Sequence, residues 1–161
     1  MYLFRLIYYS RNAIPESEAP QRAELKGIIE ACRRNNPPLG VTGALLFNQT
    51  YFAQVLEGDR KAVTQTFCRI ANDPRHTDLV ILEARPIQRR RFANWSMGFV
   101  SASVAEEVHR RYCISSQFNP TKMTADSLLG FMEELSEEAP QTVRPIPPQT
   151  TMERAREQAT A

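Results

Sequence analysis

The first hundred residues consist of short apolar runs separated by helical periodicities and polar turns. Residues 2–9 are aromatic and aliphatic with a single charge, which predicts a strand. Alternation along this strand puts Phe4, Leu6 and Tyr8 on one face. Residues 25–32 then carry apolar side chains at i, i+3, i+4 and i+7, the spacing of a helix with one buried stripe. The chain therefore opens with a strand and an amphipathic helix.

The next segments repeat this order. Pro37 and Pro38 end the first helix, because the residue before a proline is pushed out of the helical region. Residues 41–47 and 51–57 are β-prone and joined by a short polar connection, which predicts a hairpin. A second helix and two further strands follow, the helix marked by Val63, Phe67 and Ile70 and the strands by residues 79–82 and 97–100.

This order of elements, βαββαββ, predicts an α+β fold of the ferredoxin-like split-βαβ type. In that sandwich, strands 1 and 3 lie side by side at the centre of the sheet, and both helices cover one face. We expect residues 1–100 to form this domain.

Beyond the domain, the pattern changes to helices at residues 102–111 and 125–138, so residues 101–138 are expected to be a C-terminal helical extension. The second helix has an apolar stripe that must be covered by the free face of the sheet or by another subunit. Residues 139–161 are rich in proline and predict a disordered tail. The stripe consists of Leu128, Leu129, Met132 and Leu135.

Composition narrows the class of protein without identifying it. The chain has 161 residues, 42% hydrophobic and 24% charged, values typical of one globular domain with an appendage. No apolar run reaches the ~18 residues of a membrane span, and the N-terminus does not resemble a signal peptide, so we expect a cytoplasmic protein without membrane contact. The three cysteines lack CxxC spacing, which favours neither disulfides nor a metal site.

Motifs of the common enzyme classes are missing from the sequence. There is no GxGxxG, GxxxxGK[ST] or HExxH pattern and no nucleophile elbow. The two histidines, His76 and His109, lie in unrelated segments without an evident Ser or Cys partner. We therefore do not expect an enzyme.

Polar side chains fall on the face that the two helices are expected to cover. Gln54 lies between Phe52 and Leu56, and Tyr8 shares a face with Leu6. A buried amide is costly unless it is hydrogen-bonded. If strands 1 and 3 are neighbours, Tyr8 and Gln54 can meet, either as a structural pair in an ordinary core or as part of a ligand site.

Further polar residues converge on the same region in this topology. A cleft between two helices, with amides at its inner end and arginines at its mouth, suits a planar heteroaromatic ligand that carries phosphate. Each residue taken alone also has an ordinary explanation as a helix terminator or a solvated turn. The residues are Asn35, Asn36, Arg69, Arg75 and His76.

Six segments, in order along the chain, form a recognisable set. They are Leu6-Ile7-Tyr8-Tyr9-Ser10, Arg34-Asn35-Asn36-Pro37, Gly40-Val41-Thr42-Gly43, Phe52-Ala53-Gln54-Val55-Leu56-Glu57-Gly58, Asp73-Pro74-Arg75-His76 and Arg91-Phe92-Ala93-Asn94-Trp95-Ser96-Met97. Together they resemble the motifs of the BLUF family, flavin-binding blue-light receptors, over residues 2 to about 100. The extension to about residue 138 is similar to short BLUF proteins with two C-terminal helices and no fused output enzyme.

The resemblance implies FAD as cofactor, with FMN and riboflavin as alternatives. It also implies that Tyr8 and Gln54 are the photoactive pair, that Asn36 hydrogen-bonds the flavin ring, and that Trp95 and Met97 form a variable edge of the pocket. A light signal would be stored as a rearranged hydrogen-bond network. The remaining residues implied to contact or flank the flavin are Asn35, Arg75 and His76.

Two expectations concern partners. Without a fused effector, the signal is expected to reach a downstream signalling protein or the chain's own homo-oligomer, a dimer or a higher ring. The alternative function is a ferredoxin-like nucleic-acid-binding module that uses the sheet and the basic run of residues 89–91. Nucleic acid is the less favoured partner, because strand 3 lacks an aromatic platform and residues 1–100 carry 14 Lys+Arg against 9 Asp+Glu, a surplus of only +5.

Overall fold

The computed structural model describes residues 2–15, 18–93, 98–101, 112 and 117–138. Short 3₁₀ turns lie at Pro37–Leu39 and Pro120–Lys122. The predicted helix at residues 102–111, the tail at 139–161, and both Trp95 and Met97 lie outside the described residues. The elements, in chain order, are β1 (Leu3–Asn12), α1 (Glu18–Asn35), β2 (Thr42–Phe47), β3 (Tyr51–Asp59), α2 (Arg60–Ala71), β4 (His76–Pro86), β5 (Gly98–Ser101) and α3 (Ala125–Glu138).

The five strands form one sheet in the order β4-β1-β3-β2-β5. β1 and β3 are antiparallel neighbours at its centre, and β5 adds parallel to β2. Their register sets Tyr8 directly opposite Gln54. The predicted α+β, ferredoxin-like arrangement with strands 1 and 3 side by side is confirmed.

One face of the sheet packs against α1 and α2. Leu6 and Tyr8 of β1 form a buried cluster with Ile28 of α1 and Val63 of α2, as the alternation along β1 predicted. The N-terminus of α2 is capped by Asp59, whose carboxylate accepts the backbone N–H of Lys61 at 3.0 Å. This cap fixes where β3 ends and where the helix that covers the sheet begins.

The other face of the sheet is covered by α3. The predicted stripe of α3 is buried, with Leu128, Met132 and Leu135 fully inaccessible, and it packs with Ile7 and Val55 of the two central strands. The sequence left open whether the stripe packs on the sheet or on another subunit, and the structure shows that it packs on the sheet. The stripe no longer supplies a reason to expect a second subunit.

A buried ionic cluster lies on the same face as α3. Glu57, at the end of β3, accepts the backbone N–H groups of Arg91 and Phe92 at 2.8 and 3.1 Å, and its other carboxylate oxygen lies 3.7 Å from the Arg5 guanidinium. Burial raises the pKa of Glu57, which these hydrogen bonds and Arg5 oppose. Arg91 also pairs with Glu133 of α3 at 3.2 Å. The cluster ties the segment after β4 to the central sheet and to α3.

The basic run at residues 89–91 is partly engaged within the protein. Arg90 donates to the Thr42 hydroxyl at 2.8 Å and to the Glu57 carbonyl at 2.9 Å, and Arg91 makes the contacts described above. Both faces of the sheet are packed against helices in the described part of the chain. A nucleic-acid platform of the kind considered from the sequence is therefore not favoured.

β4 is much longer than predicted, spanning His76–Pro86 in place of residues 79–82. It is an edge strand that pairs with β1 alone, and most of its side chains are intermediate or exposed. A strand without a buried face lacks the alternation on which sequence prediction depends.

Candidate functional site

A cleft opens between α1 and α2 above the sheet. The non-atom space in and around it is about 550 Å³, a figure that includes space open to solvent. Apolar side chains of Ile28, Leu45 and Ile70 form part of its wall. The polar and ionisable residues that line it are Cys32, Asn35, Asn36, Gln54, Thr66, Arg69, Asp73, Arg75 and His76.

Tyr8 and Gln54 meet beneath this cleft. The Tyr8 hydroxyl donates a hydrogen bond to Gln54 Oε1, and both side chains are buried. The Tyr8 ring packs edge-on against Phe67 with centroids 5.2 Å apart. Burial raises the pKa of Tyr8 well above its ordinary value, so the phenol keeps its proton. The pair is thus a neutral phenol that donates to a primary amide at the cleft's inner end.

His76 is held in the cleft wall as a neutral imidazole. Its Nδ1 is hydrogen-bonded to the buried Ser10 hydroxyl at 2.9 Å, and its ring packs against Phe52 with centroids 4.4 Å apart. Burial lowers the pKa of His76 to about 4; the nearby Asp73 opposes this shift and Arg75 adds to it. The structure therefore makes His76 a buried packing and hydrogen-bonding residue rather than part of a solvated turn.

Arg75 lines the cleft but is already engaged by carboxylates. Its Nε lies 2.9 Å from Asp73 Oδ1, and its Nη1 lies 3.4 Å from a Glu24 oxygen. The hydrogen bond from Arg75 lowers the pKa of Asp73. Arg69 lines the same cleft and forms no ion pair within the described residues. Arg69 is therefore the cation at this site whose charge is not offset by a neighbouring carboxylate.

Asn35 and Asn36 lie where α1 ends. Asn36 is 2% exposed, and its carbonyl accepts the N–H groups of Leu39 and Val41 at 3.1 Å each. This turn carries the chain from α1 into β2 and sets the Asn36 side chain in the cleft wall. Asn35, the last residue of α1, also lines the cleft.

Three polar lining residues, Cys32, Thr66 and Asp73, are not among the site residues predicted from the sequence. The contact of Asp73 with Arg75 depends on the conformation of the turn before β4, which a local sequence pattern does not specify. The sequence does carry a signal for Thr66: this polar residue lies on the apolar stripe of α2, between Val63 and Ile70. A hydroxyl at a stripe position is the kind of exception that marks a site.

The donors and walls of the cleft fit a flavin. Amides from Asn35, Asn36 and Gln54 can satisfy the polar edge of a planar ring, the apolar wall can cover its faces, and Arg69 can meet a phosphate. The Thr66 hydroxyl oxygen is buried and has no hydrogen-bond partner in the described structure, so the cleft also offers an unused polar group. Within the described residues, no cluster of His, Cys, Asp or Glu is arranged to hold a metal ion.

The fold is an α+β sandwich, and its cleft between two helices combines apolar walls with amide, hydroxyl and guanidinium groups. The model of the BLUF family, described as sensors of blue-light using FAD, matches residues 3–98. This match covers more than half of the 161 residues. The chain therefore belongs to the BLUF family of flavin-binding blue-light photoreceptors.

Curated relatives share this segment as part of larger proteins. The photoactivated adenylate cyclase subunit beta of Euglena longa is 38% identical over 96 residues, 59% of this chain and 11% of that protein. The blue light- and temperature-regulated antirepressor BluF of Escherichia coli strain K12 is 36% identical over 95 residues, 59% of this chain and 23% of that protein. The chain thus matches only a small part of these proteins' length.

Solved structures extend the similarity beyond the matched segment. The dark-state structure of the BLUF protein BlrB has a TM-score of 0.67 and 32% identity, covering 83% of this chain and 96% of that one. The ground state of BlsA has a TM-score of 0.73 and 28% identity, covering 83% and 87%. No helix in the described part of the chain is long and apolar enough to cross a bilayer.

Proposed function

We propose that this chain is a blue-light photoreceptor that binds FAD in the cleft and uses Tyr8 and Gln54 as its photoactive pair. The observation that carries the proposal is the buried hydrogen bond from the Tyr8 hydroxyl to Gln54 Oε1 at the inner end of the cleft. BLUF domains are sensors of blue light that use FAD, whereas the similar structure of Klebsiella pneumoniae BlrP1 contains FMN. FAD is therefore the specific flavin proposed here.

The chemistry depends on what a phenol and a primary amide can exchange. The bound flavin supplies blue-light absorption and an excited state that accepts an electron. Tyr8, kept protonated by burial, would give up an electron and pass its proton to Gln54 Oε1 along the existing hydrogen bond, and both would return to Tyr8 afterwards, so that only the orientation of the amide differs between the two states. Gln54 carries a donor and an acceptor on one planar group, so reversing the amide exchanges Oε1 and Nε2. The Tyr8 oxygen then accepts a hydrogen bond from Nε2 instead of donating one.

The other site residues hold the ligand and the network. Asn36 and Asn35 supply amides to the flavin ring, and His76 orders the wall beside it through Ser10. Arg75 is assigned a flanking role, since Asp73 and Glu24 already offset its charge. Trp95 and Met97 are proposed to tune the receptor from a variable edge of the pocket. Their place in the pocket rests on the resemblance alone.

Signal output is proposed to be non-enzymatic and to pass to another protein. Relatives carry this segment in a cyclase subunit and in an antirepressor, so one sensor serves different effectors. Arg91 bonds Glu57 of β3 through its backbone N–H and Glu133 through its side chain, and so connects the sheet to α3, the helix we propose as the output element. A downstream signalling protein and a homo-oligomer are the two proposed recipients, and a cytoplasmic location stays a prediction.

Flavin release tests the cofactor part of this proposal. Full-length protein should purify yellow, and acid or heat should release one non-covalent flavin per chain, identified by chromatography against FAD, FMN and riboflavin. Tyr8→Phe and Gln54→Leu should still retain flavin, because both keep approximate shape in the buried pair. A colourless protein that takes up no flavin from a riboflavin-supplemented culture would refute the proposal.

Oligomeric state tests the proposed self-association. Size-exclusion chromatography with light scattering should be run in darkness and under blue light on the full-length chain. A light-dependent mass would support a homo-oligomer as the recipient of the signal. A monomer in both conditions would remove that recipient and leave a separate signalling protein.

A further inference from the structure

Thr66 carries a buried hydroxyl without a hydrogen-bond partner. The residue is 5% exposed, and its Oγ1 finds no partner within the described residues. The other buried atom in that condition, Glu57 Oε1, faces the Arg5 guanidinium at 3.7 Å. Thr66 has no comparable compensation.

The helix itself does not satisfy this hydroxyl. Thr64, two residues earlier on α2, donates to the Arg60 carbonyl at 2.8 Å, which is the usual bond of a helical threonine. Thr66 makes no such bond, and its side chain lines the cleft with Gln54 and Arg69. The hydroxyl is thus not used in holding α2 together.

Packing alone would favour an apolar residue at this position. The neighbouring stripe positions are Val63, Phe67 and Ile70, and valine has the shape of threonine without the hydroxyl. An unsatisfied buried hydroxyl opposes folding, whereas an isosteric methyl group does not. A group that is unfavourable for the flavin-free fold, and that lines the ligand cleft, is explained by a bond to the ligand.

We propose that Thr66 Oγ1 hydrogen-bonds a polar atom of the bound flavin and is a binding residue of this site. The inference rests on the proposed function and adds to it a contact from α2. A threonine hydroxyl can donate and accept, so it suits either a carbonyl oxygen or a ring nitrogen.

If Thr66 binds the flavin, removing its hydroxyl should weaken FAD binding without lowering the stability of the flavin-free protein. Thr66→Val should weaken FAD binding about five- to tenfold, the usual effect of one hydrogen bond left unmade, while the thermal midpoint of the flavin-free protein stays the same or rises. Thr66→Ser, which keeps the hydroxyl, should retain most of the affinity. Thr64→Val is the matched control on the same helix and should leave FAD affinity unchanged.

The full-length chain is stripped of flavin, checked for a retained circular dichroism spectrum, and titrated with FAD by fluorescence quenching. Unchanged affinity in Thr66→Val would overturn the assignment and leave the hydroxyl to a buried water. A loss of both affinity and flavin-free stability in that variant would also overturn it, in favour of a structural role. Wild-type protein that binds no FAD would instead refute the proposed function, so the two failures are distinguishable.

Discussion

Acid should destabilise this protein because His76 is buried as a neutral imidazole. The imidazole is 6% exposed, bonded to Ser10 and packed on Phe52, so the folded protein resists its protonation. In the unfolded chain the same group takes up a proton near its ordinary pKa of 6.5. The unfolded state therefore binds more protons as the pH falls from about 6.5 to about 4, and the folded state loses stability across that window.

The size of this effect follows from the shift in the pKa of His76. Each tenfold change in proton affinity corresponds to ~1.4 kcal/mol. A folded pKa of about 4 against 6.5 unfolded thus corresponds to a loss of about 3 kcal/mol once both states are protonated. The slope should approach ~1.4 kcal/mol per pH unit in the middle of the window.

The assay is urea unfolding of the flavin-free protein at closely spaced pH values between 7 and 4, on wild type and on His76→Gln. Glutamine can still bond Ser10 but does not titrate in this range. The free energy of unfolding should fall with decreasing pH in both proteins, and more steeply in wild type, by about 3 kcal/mol over the window. Parallel slopes in the two proteins would refute the reasoning, since the carboxylates common to both would then explain the whole dependence.

Three further predictions concern the scaffold and the pocket edge. Gly43→Ala should lower the free energy of unfolding in urea by at least ~3 kcal/mol, because a Cβ there would lie 1.8 Å from the Val55 carbonyl oxygen. Gly40→Ala is the control: a Cβ there meets open space, and the φ of 62° should cost only ~1–2 kcal/mol. Glu57→Ala should cost ~3–5 kcal/mol by the same assay, and Glu57→Gln should cost less, since the amide oxygen can still accept a backbone N–H. Trp95→Phe should alter dark recovery and leave the light-induced red shift of the flavin band; loss of the shift would reopen Tyr8 as electron donor.

The parts of the fold that the sequence predicted well are those with strong apolar patterns. The stripe of α3 predicted residues 125–138, which are the bounds observed. β1 and β3 were found because their alternation and apolar content are strong, and their pairing followed from the element order. β4 was underestimated because an edge strand has no such alternation.

For the site, the sequence placed residues in one cleft without showing their partners. Gln54 stood out because an amide on a buried face needs a hydrogen bond, and Tyr8 is that partner. The engagement of Arg75 by Asp73 could not be derived, because it depends on how the turn before β4 folds back on itself. Thr66 could have been found by asking which polar residue interrupts the apolar stripe of α2.

The measurement that tests the central proposal most directly is a light-minus-dark absorption spectrum of four full-length proteins. Wild type and Tyr9→Phe should both show a reversible red shift of the flavin band under blue light. Tyr9 packs on the sheet face that α3 covers, opposite the face with the cleft. Tyr8→Phe and Gln54→Leu should bind flavin and show no shift. A normal red shift in either of these two variants would contradict the assignment of Tyr8 and Gln54 as the photoactive pair.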